Sequence, residues 1–271
     1  WETRWMEQFY PMPEMYRLRT IGLFTQSGMN ALEVALFAFH VISTERMPVY
    51  YHRGLYYEAI SLTKRMFKHA KELSMDEIYE KLRQQQKIGC ILIDPGTSWP
   101  PGPGADLDRL FACLAGHRQE EPLFVIVDRT LVSVSLPLFR QYAKGLPKHV
   151  VLVSVETLIK YYQYGCDLAN MGFLVMHGSI LKYSAVADVV HDLMRILSAT
   201  PDPSMVIRLP GASRMRMEKR MERIARNAEL CFSFLQYALA KGRISALYSS
   251  VPQGNRFVVG RTPWPGSLFY V

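Results

Sequence analysis

Three groups of residues have types and positions that can do chemistry. Asp128 closes the apolar run Phe124-Val125-Ile126-Val127. A carboxylate behind a buried strand is either a turn former or a fixed charge aimed into a crevice. Lys160 follows the run Val150 to Val155, beside Leu158, Ile159, Tyr161 and Tyr162. It is either an ordinary solvated lysine or a desolvated, nucleophilic amine of the kind that attacks carbonyls. Ser27-Gly28-Met29 leads into a helical pattern. Such a turn is either a plain helix cap or a set of backbone N–H groups turned toward a phosphate.

The elements that must position these groups follow from periodicity. Ala31, Val34, Ala35, Ala38 and Val41 form a helical stripe over 30–42. Strand-like runs are expected at 47–51, 88–93, 123–127, 150–155 and 173–176. Helices are expected at 55–70, 75–86, 105–116, 180–197 and 212–241, the last ending near Gly242. Residues 1–19 read as irregular, with Pro11 and Pro13 preventing a long helix. Thr200 to Ser204 breaks the pattern, and 244–271 reads as short strands with turns. Uninterrupted apolar strands separated by helices imply an α/β layer structure with a parallel or mixed sheet. Chemistry in such sheets sits at the carboxyl ends of the strands. The expected division is a large domain over 1–205, including an N-terminal arm, and a smaller C-terminal one over 206–271.

Composition narrows the function. The 271 residues are 49% hydrophobic and 21% charged, so disorder and coiled coil are excluded as the main architecture. Cys90, Cys113, Cys166 and Cys231 lie far apart, which speaks against a disulfide scaffold or a zinc module; no metal is expected. The net charge is +8, but the densest basic run, Arg208 to Arg226, alternates with Met and Glu as a solvated helix face does. No nucleic-acid partner is expected. No apolar stretch reaches a membrane-spanning length and no signal-peptide pattern opens the chain, so no membrane partner and a cytoplasmic location are expected.

A phosphate cradle, a carboxylate at one strand end and a lysine after the next are together the parts that hold pyridoxal 5'-phosphate. The lysine binds its aldehyde, the carboxylate keeps its ring nitrogen protonated and the cradle anchors its phosphate.

From about residue 20 to residue 240 the sequence resembles the cystathionine γ-synthase/γ-lyase family of fold-type I pyridoxal-phosphate enzymes. Thr25 to Ala31 resembles its S-S-G-M-x-A phosphate loop, and Leu55-Tyr56-Tyr57-Glu58-Ala59 its L-Y-G-G-T. Val127-Asp128-Arg129-Thr130-Leu131-Val132-Ser133 is similar to V-D-N-T-F-x-S. Glu156-Thr157-Leu158-Ile159-Lys160-Tyr161 is similar to E-S-x-T-K-Y, with Gly165 and Asp167 trailing it. Arg220-Met221 with Asn227-Ala228 matches part of the family's long arginine-rich helix. The resemblance implies a mostly parallel mixed sheet between helices, plus a smaller α+β C-terminal domain. It implies that Ser27, Gly28, Met29, Tyr56, Asp128, Thr130, Thr157 and Lys160 bind the cofactor. Lys160 is then the Schiff-base lysine, and Tyr56 stacks on the ring and assists proton transfer.

The departures are specific. The family's E-x-P-x-N-P loop stands here as Asp94-Pro95-Gly96-Thr97-Ser98-Trp99-Pro100, without the Asn, and Ser98 is the substitute. Arg129 replaces an Asn and Ile159 a Thr. The substrate-carboxylate arginine has no clear counterpart; Arg256 and Arg261 are the candidates carried forward, beside Arg243. The resemblance implies a lyase or γ-synthase that acts on an amino acid by β- or γ-elimination or γ-replacement through an α-carbanion. It also implies self-association into dimers and tetramers with shared sites. The alternatives are an aminotransferase or decarboxylase on the same fold, or a non-catalytic relative serving as a binding or assembly subunit.

Overall fold

The computed structural model describes residues 1–43, 46–96, 104–164, 166–182, 184–209, 213–249, 257–266 and 269–270. The chain runs through α1 (Glu2–Phe9), β1 (Thr20–Thr25), α2 (Gly28–Ile42), β2 (Val49–His52), α3 (Tyr57–Met66), β3 (Lys71–Leu73) and α4 (Met75–Arg83). It continues through β4 (Cys90–Ile93), α5 (Leu107–Gly116), β5 (Leu123–Asp128), α6 (Leu138–Tyr142), β6 (Val150–Thr157), β7 (Gly172–Gly178) and α7 (Ser184–Ile196). Then follow α8 (Pro203–Arg208), α9 (Arg214–Ala240), β8 (Tyr248–Ser249), β9 (Val258–Val259), β10 (Thr262–Pro263) and β11 (Phe269–Tyr270).

Seven strands form one mixed sheet in the order β1-β7-β6-β5-β4-β2-β3. The five from β6 to β3 are parallel, while β7 runs antiparallel to both β6 and β1. Strands β4 to β7 are buried on both faces, which is why they read as unbroken apolar runs. The period of two divides their side chains between two cores. Phe124, Ile126, Val151 and Val153 pack with Ala31 and Ala35 of α2, Ala59 of α3 and Val190 of α7. Val125, Val127, Val150 and Leu152 pack with Trp5 and Phe9 of α1, Ile78 of α4, Leu110 of α5 and Met217 and Met221 of α9. The α/β architecture expected from the apolar runs is the one observed.

Several elements depart from the sequence reading. Residues 2–9 form a helix that no local signal announces. Trp1 makes no side-chain cap, so burial of Trp5 and Phe9 on the sheet stabilises α1 instead. β1 and β3 are edge strands; β3 has two exposed residues of three, so no apolar pattern marks it. The break at Thr200 to Ser204 is a helix start, with Asp202 accepting from the Ser204 N–H and Pro203 in the first turn of α8. Among the described residues, no helix is long and apolar enough to cross a membrane.

Two histidines give the fold a pH dependence. Burial, with help from Arg19, lowers the His177 imidazole to about 4. Burial, His117 and Arg118 lower His149 to about 4 as well. Both rings bind protons more readily in the unfolded chain. The stability they contribute is complete above the usual value of 6.5 and is lost as pH falls from there toward 4. Thermal melts should show the midpoint declining across that window, and His177→Gln should flatten the decline.

Candidate active site

A cavity of about 380 Å³ opens at the carboxyl ends of β5 and β6, against the start of α2. Its volume is in the range of small-molecule sites. Ser27, Gly28, Met29, Tyr56, Asp128, Thr130, Thr157 and Lys160 all line it, so the structure brings together eight residues that lie as much as 133 positions apart.

The cradle is built by close backbone approach. Ser27 caps α2: its Oγ accepts from the Asn30 N–H at 3.0 Å. The same hydroxyl lies 3.1 Å from Asn30 Oδ1, so it is engaged in the cap. The first-turn amides of a helix have no intrahelical acceptors, and the helix dipole makes this end positive. Gly28 is obligatory here, because a Cβ on it would lie 2.8 Å from Thr157 Cβ and 3.1 Å from Thr157 N. Gly172, at the start of β7, is equally tight: a Cβ there would lie 2.4 Å from Ser27 O.

The ends of β5 and β6 are cross-linked. Asp128 Oδ1 accepts from the Thr130 N–H at 2.9 Å, and Thr130 Oγ1 accepts from the Thr157 N–H at 3.2 Å. The Arg129 N–H donates to Val155 O at 2.9 Å. Burial pushes the Asp128 carboxyl above its usual range, against the opposing pull of the Thr130 hydrogen bonds and of Lys160. A cation placed in the cavity would relieve that cost. Burial and the neighbouring Tyr57 and Glu58 push the Tyr56 phenol up, which keeps it protonated.

Of the two environments open to Lys160, the structure has the solvated one. β6 ends at Thr157, and in the turns that follow Leu158, Tyr161 and Tyr162 are buried while Lys160 is exposed. Leu158, Tyr161 and Tyr162 turn into the core, while the half-buried Ile159 lines the cavity beside the exposed Lys160. Arg261 is also exposed, in the turn between β9 and β10, and is not among the cavity's lining residues. Ser98 and Arg256 lie outside the described residues.

Sequence reasoning overlooked part of the lining. Glu58, Leu131, Glu156 and Asn170 contribute to it. Asn170 stands just before β7, and no motif marks it. Glu58 stands two residues after Tyr56 in the first turn of α3, a spacing that does not by itself place the two on one face. Among the described residues lining the cavity, Lys160 is the one lysine or arginine, beside the acids Glu58, Asp94, Asp128 and Glu156. Leu131 is held from behind, where the Trp264 Nε1–H donates to its carbonyl at 3.0 Å. Among the described residues, no group of three or more His, Cys, Asp or Glu side chains is placed to hold a metal ion.

No protein-family model and no curated protein sequence matches the chain. Solved structures do. An aminotransferase from Anaerococcus prevotii superimposes with a TM-score of 0.63 at 16% identity, covering 90% of this chain and 63% of its own. A Campylobacter jejuni protein described as an O-acetylhomoserine (thiol)-lyase, solved with a pyridoxyl-lysine monophosphate, gives 0.65 at 19%, covering 92% and 66%. MetB from Corynebacterium glutamicum gives 0.61 at 16%, covering 86% and 55%. The chain thus spans between about half and two thirds of the length of these structures. The likeness defines the fold as that of the fold-type I pyridoxal-phosphate enzymes, and the reaction has to be argued from the site.

Gly28→Ala separates helix propensity from packing. Propensity alone favours alanine at the start of α2 by about 1 kcal/mol. The missing space beside Thr157 should outweigh this and destabilise the protein by about 1–3 kcal/mol. Urea denaturation should show the lower midpoint; a stabilised variant would contradict the close approach.

Proposed function

We propose that the chain binds pyridoxal 5'-phosphate and acts on an amino acid, by β- or γ-elimination or γ-replacement. The observation that carries this reading is the convergence of Lys160, Asp128 and the Gly28–Thr157 contact on one cavity. The residues fit the group. The start of α2 offers amides to a phosphate in a place where a Cβ would intrude. Asp128 is a carboxyl with unfavourable burial, suited to a ring N–H, and its hydrogen bond to Thr130 fixes its plane. Lys160 lies within electrostatic reach of Asp128.

Pyridoxal phosphate, when bound, supplies an electron-accepting ring that stabilises a carbanion at the substrate Cα. The chain supplies the rest. The amides of Gly28 and Met29, with Thr157, bind the phosphate, while the Ser27 hydroxyl holds the helix cap. Asp128 accepts a hydrogen bond from the ring nitrogen and keeps its proton in place. Tyr56, protonated and lining the cavity, would flank the ring. The Lys160 amine would hold the group at its aldehyde carbon, and its Nζ, freed when the substrate amine replaces it there, would take the proton from the substrate Cα. The reading includes self-association of the chain. Transamination is the second reading, because an aminotransferase stands among the structural neighbours. Release of a keto acid with conversion of an added keto acid to an amino acid separates it from elimination.

Titration of the purified protein with pyridoxal phosphate tests the reading. The wild type should develop a visible absorbance band. Lys160→Ala should lack the band while still binding the cofactor reversibly. Asp128→Asn should bind it with an affinity reduced by about tenfold or more, the loss of one buried charge-assisted hydrogen bond. A wild-type protein that shows no binding would overturn the proposal.

A further inference from the structure

A buried polar cluster that the site chemistry does not use reaches from the cavity's edge at Glu156 to the opposite face of the sheet. The strand period places Asp128 on the α2 face with Phe124 and Ile126, and Glu156 on the other face with Val150 and Leu152. Arg129 follows Asp128, and Glu156 precedes Thr157. Arg129 is therefore the immediate neighbour of Asp128, which lines the cavity, and Glu156 both contributes to that lining and adjoins Thr157. Arg129 and Glu156 are each about 1% exposed. Arg129 Nη1 lies 3.8 Å from Glu156 Oε2. Arg129 Nη2 donates to Ser133 O at 2.6 Å, and the Ser133 hydroxyl donates to the Tyr162 hydroxyl at 3.1 Å.

The third member comes from the N-terminal segment. Tyr10, 2% exposed, donates its phenol O–H to Glu156 Oε2 at 2.8 Å, and the Arg129 guanidinium stacks over its ring at 4.4 Å. Tyr10 follows directly on α1, whose Trp5 and Phe9 anchor the segment to the same core. Glu156 Oε1 and Arg129 Nε find no hydrogen-bond partner among the described residues. A buried ion pair that leaves polar atoms unsatisfied is a poor source of stability, and an apolar pair of the same volume commonly does as well or better. A role in geometry accounts for such a pair better than a role in stability.

We infer that Tyr10, Arg129 and Glu156 form a latch that fixes the separation of the β5 and β6 ends, and with it the placement of Asp128 opposite Thr157 and Lys160. They are positioning residues, acting through the strand ends, and the inference rests on the proposed reading of the cavity. The latch spans the junction where the Arg129 N–H bonds Val155 O and the Thr157 N–H bonds Thr130 Oγ1. It also makes the N-terminal segment a part of the site from the far side of the sheet.

Two variants test it on the full chain. Tyr10→Phe removes one hydroxyl and keeps the ring. The double variant Arg129→Met with Glu156→Met removes both charges at similar volume. The first readout is amide hydrogen exchange without cofactor. Exchange at the Arg129 and Thr157 amides should rise in both variants while the core strands and the melting temperature stay near wild type. The second readout is pyridoxal phosphate titration. Affinity should fall by about tenfold in the double variant, with a shifted visible band, because small displacements of positioning groups are costly. Tyr10→Phe should move both readouts the same way by a smaller factor, and it decides the matter alone if the double variant does not fold. Unchanged exchange and affinity in folded variants would overturn the latch. Failure of the wild type to bind pyridoxal phosphate would overturn the reading of the cavity, while exchange still reports on the latch independently.

Discussion

The site depends on one close approach. The Ser27–Gly28 loop lies directly on Thr157 at the end of β6 and on Gly172 at the start of β7, with no room for a Cβ at either glycine. That contact brings the start of α2 to the place where the parallel strands end. Strand pairing then does the rest: Gly172 is in register with Thr25 on one side and Thr157 on the other. The loop, the two strand ends and the positive end of a 15-residue helix are held as one body.

The electrostatics on the two faces of the sheet are opposed in character. On the α2 face a carboxyl is held at unfavourable burial beside a cavity, open to relief by a ligand. On the far face two charges are sealed from water and satisfied mostly by the protein itself. Both arrangements hang from adjacent residues of the same two strands. A substitution in the buried pair therefore has a short mechanical path to the cavity, through the Arg129 and Thr157 amides. Trp264 adds a third restraint by holding Leu131 from the C-terminal part of the chain.

Much of this was legible in the sequence where local signals agree with tertiary structure. The central strands show as apolar runs because both their faces are buried, and Asp128 is conspicuous as the charge that ends one of them. Ser27 and Gly28 are a cap followed by a glycine, and that is how they act. What could not be read depends on partners distant in the chain. α1 is a short helix of charged and aromatic residues that only the sheet stabilises. β3 is an edge with two exposed residues of three, so no apolar pattern marks it, and β1 is an edge whose apolar run, Ile21 to Phe24, is short and interrupted by Gly22. Asp202-Pro203 reads as a break because a helix start and a turn share the same residues. The Arg129–Glu156 pair joins positions 27 apart across two strands and involves a tyrosine from the N-terminal segment, a contact that no spacing rule encodes. For Lys160 the sequence leaves two environments open for a related reason. Apolar neighbours in sequence imply desolvation only if the chain stays extended, and β6 ends before them.

The central claim is that Lys160 is the amine that bonds the cofactor in this cavity. Borohydride reduction of the protein loaded with pyridoxal phosphate, followed by proteolysis and mass spectrometry of the peptides, tests it most directly. The account predicts a single phosphopyridoxyl adduct on the peptide that contains Lys160. An adduct spread over surface lysines, or one fixed at a different lysine, would contradict it.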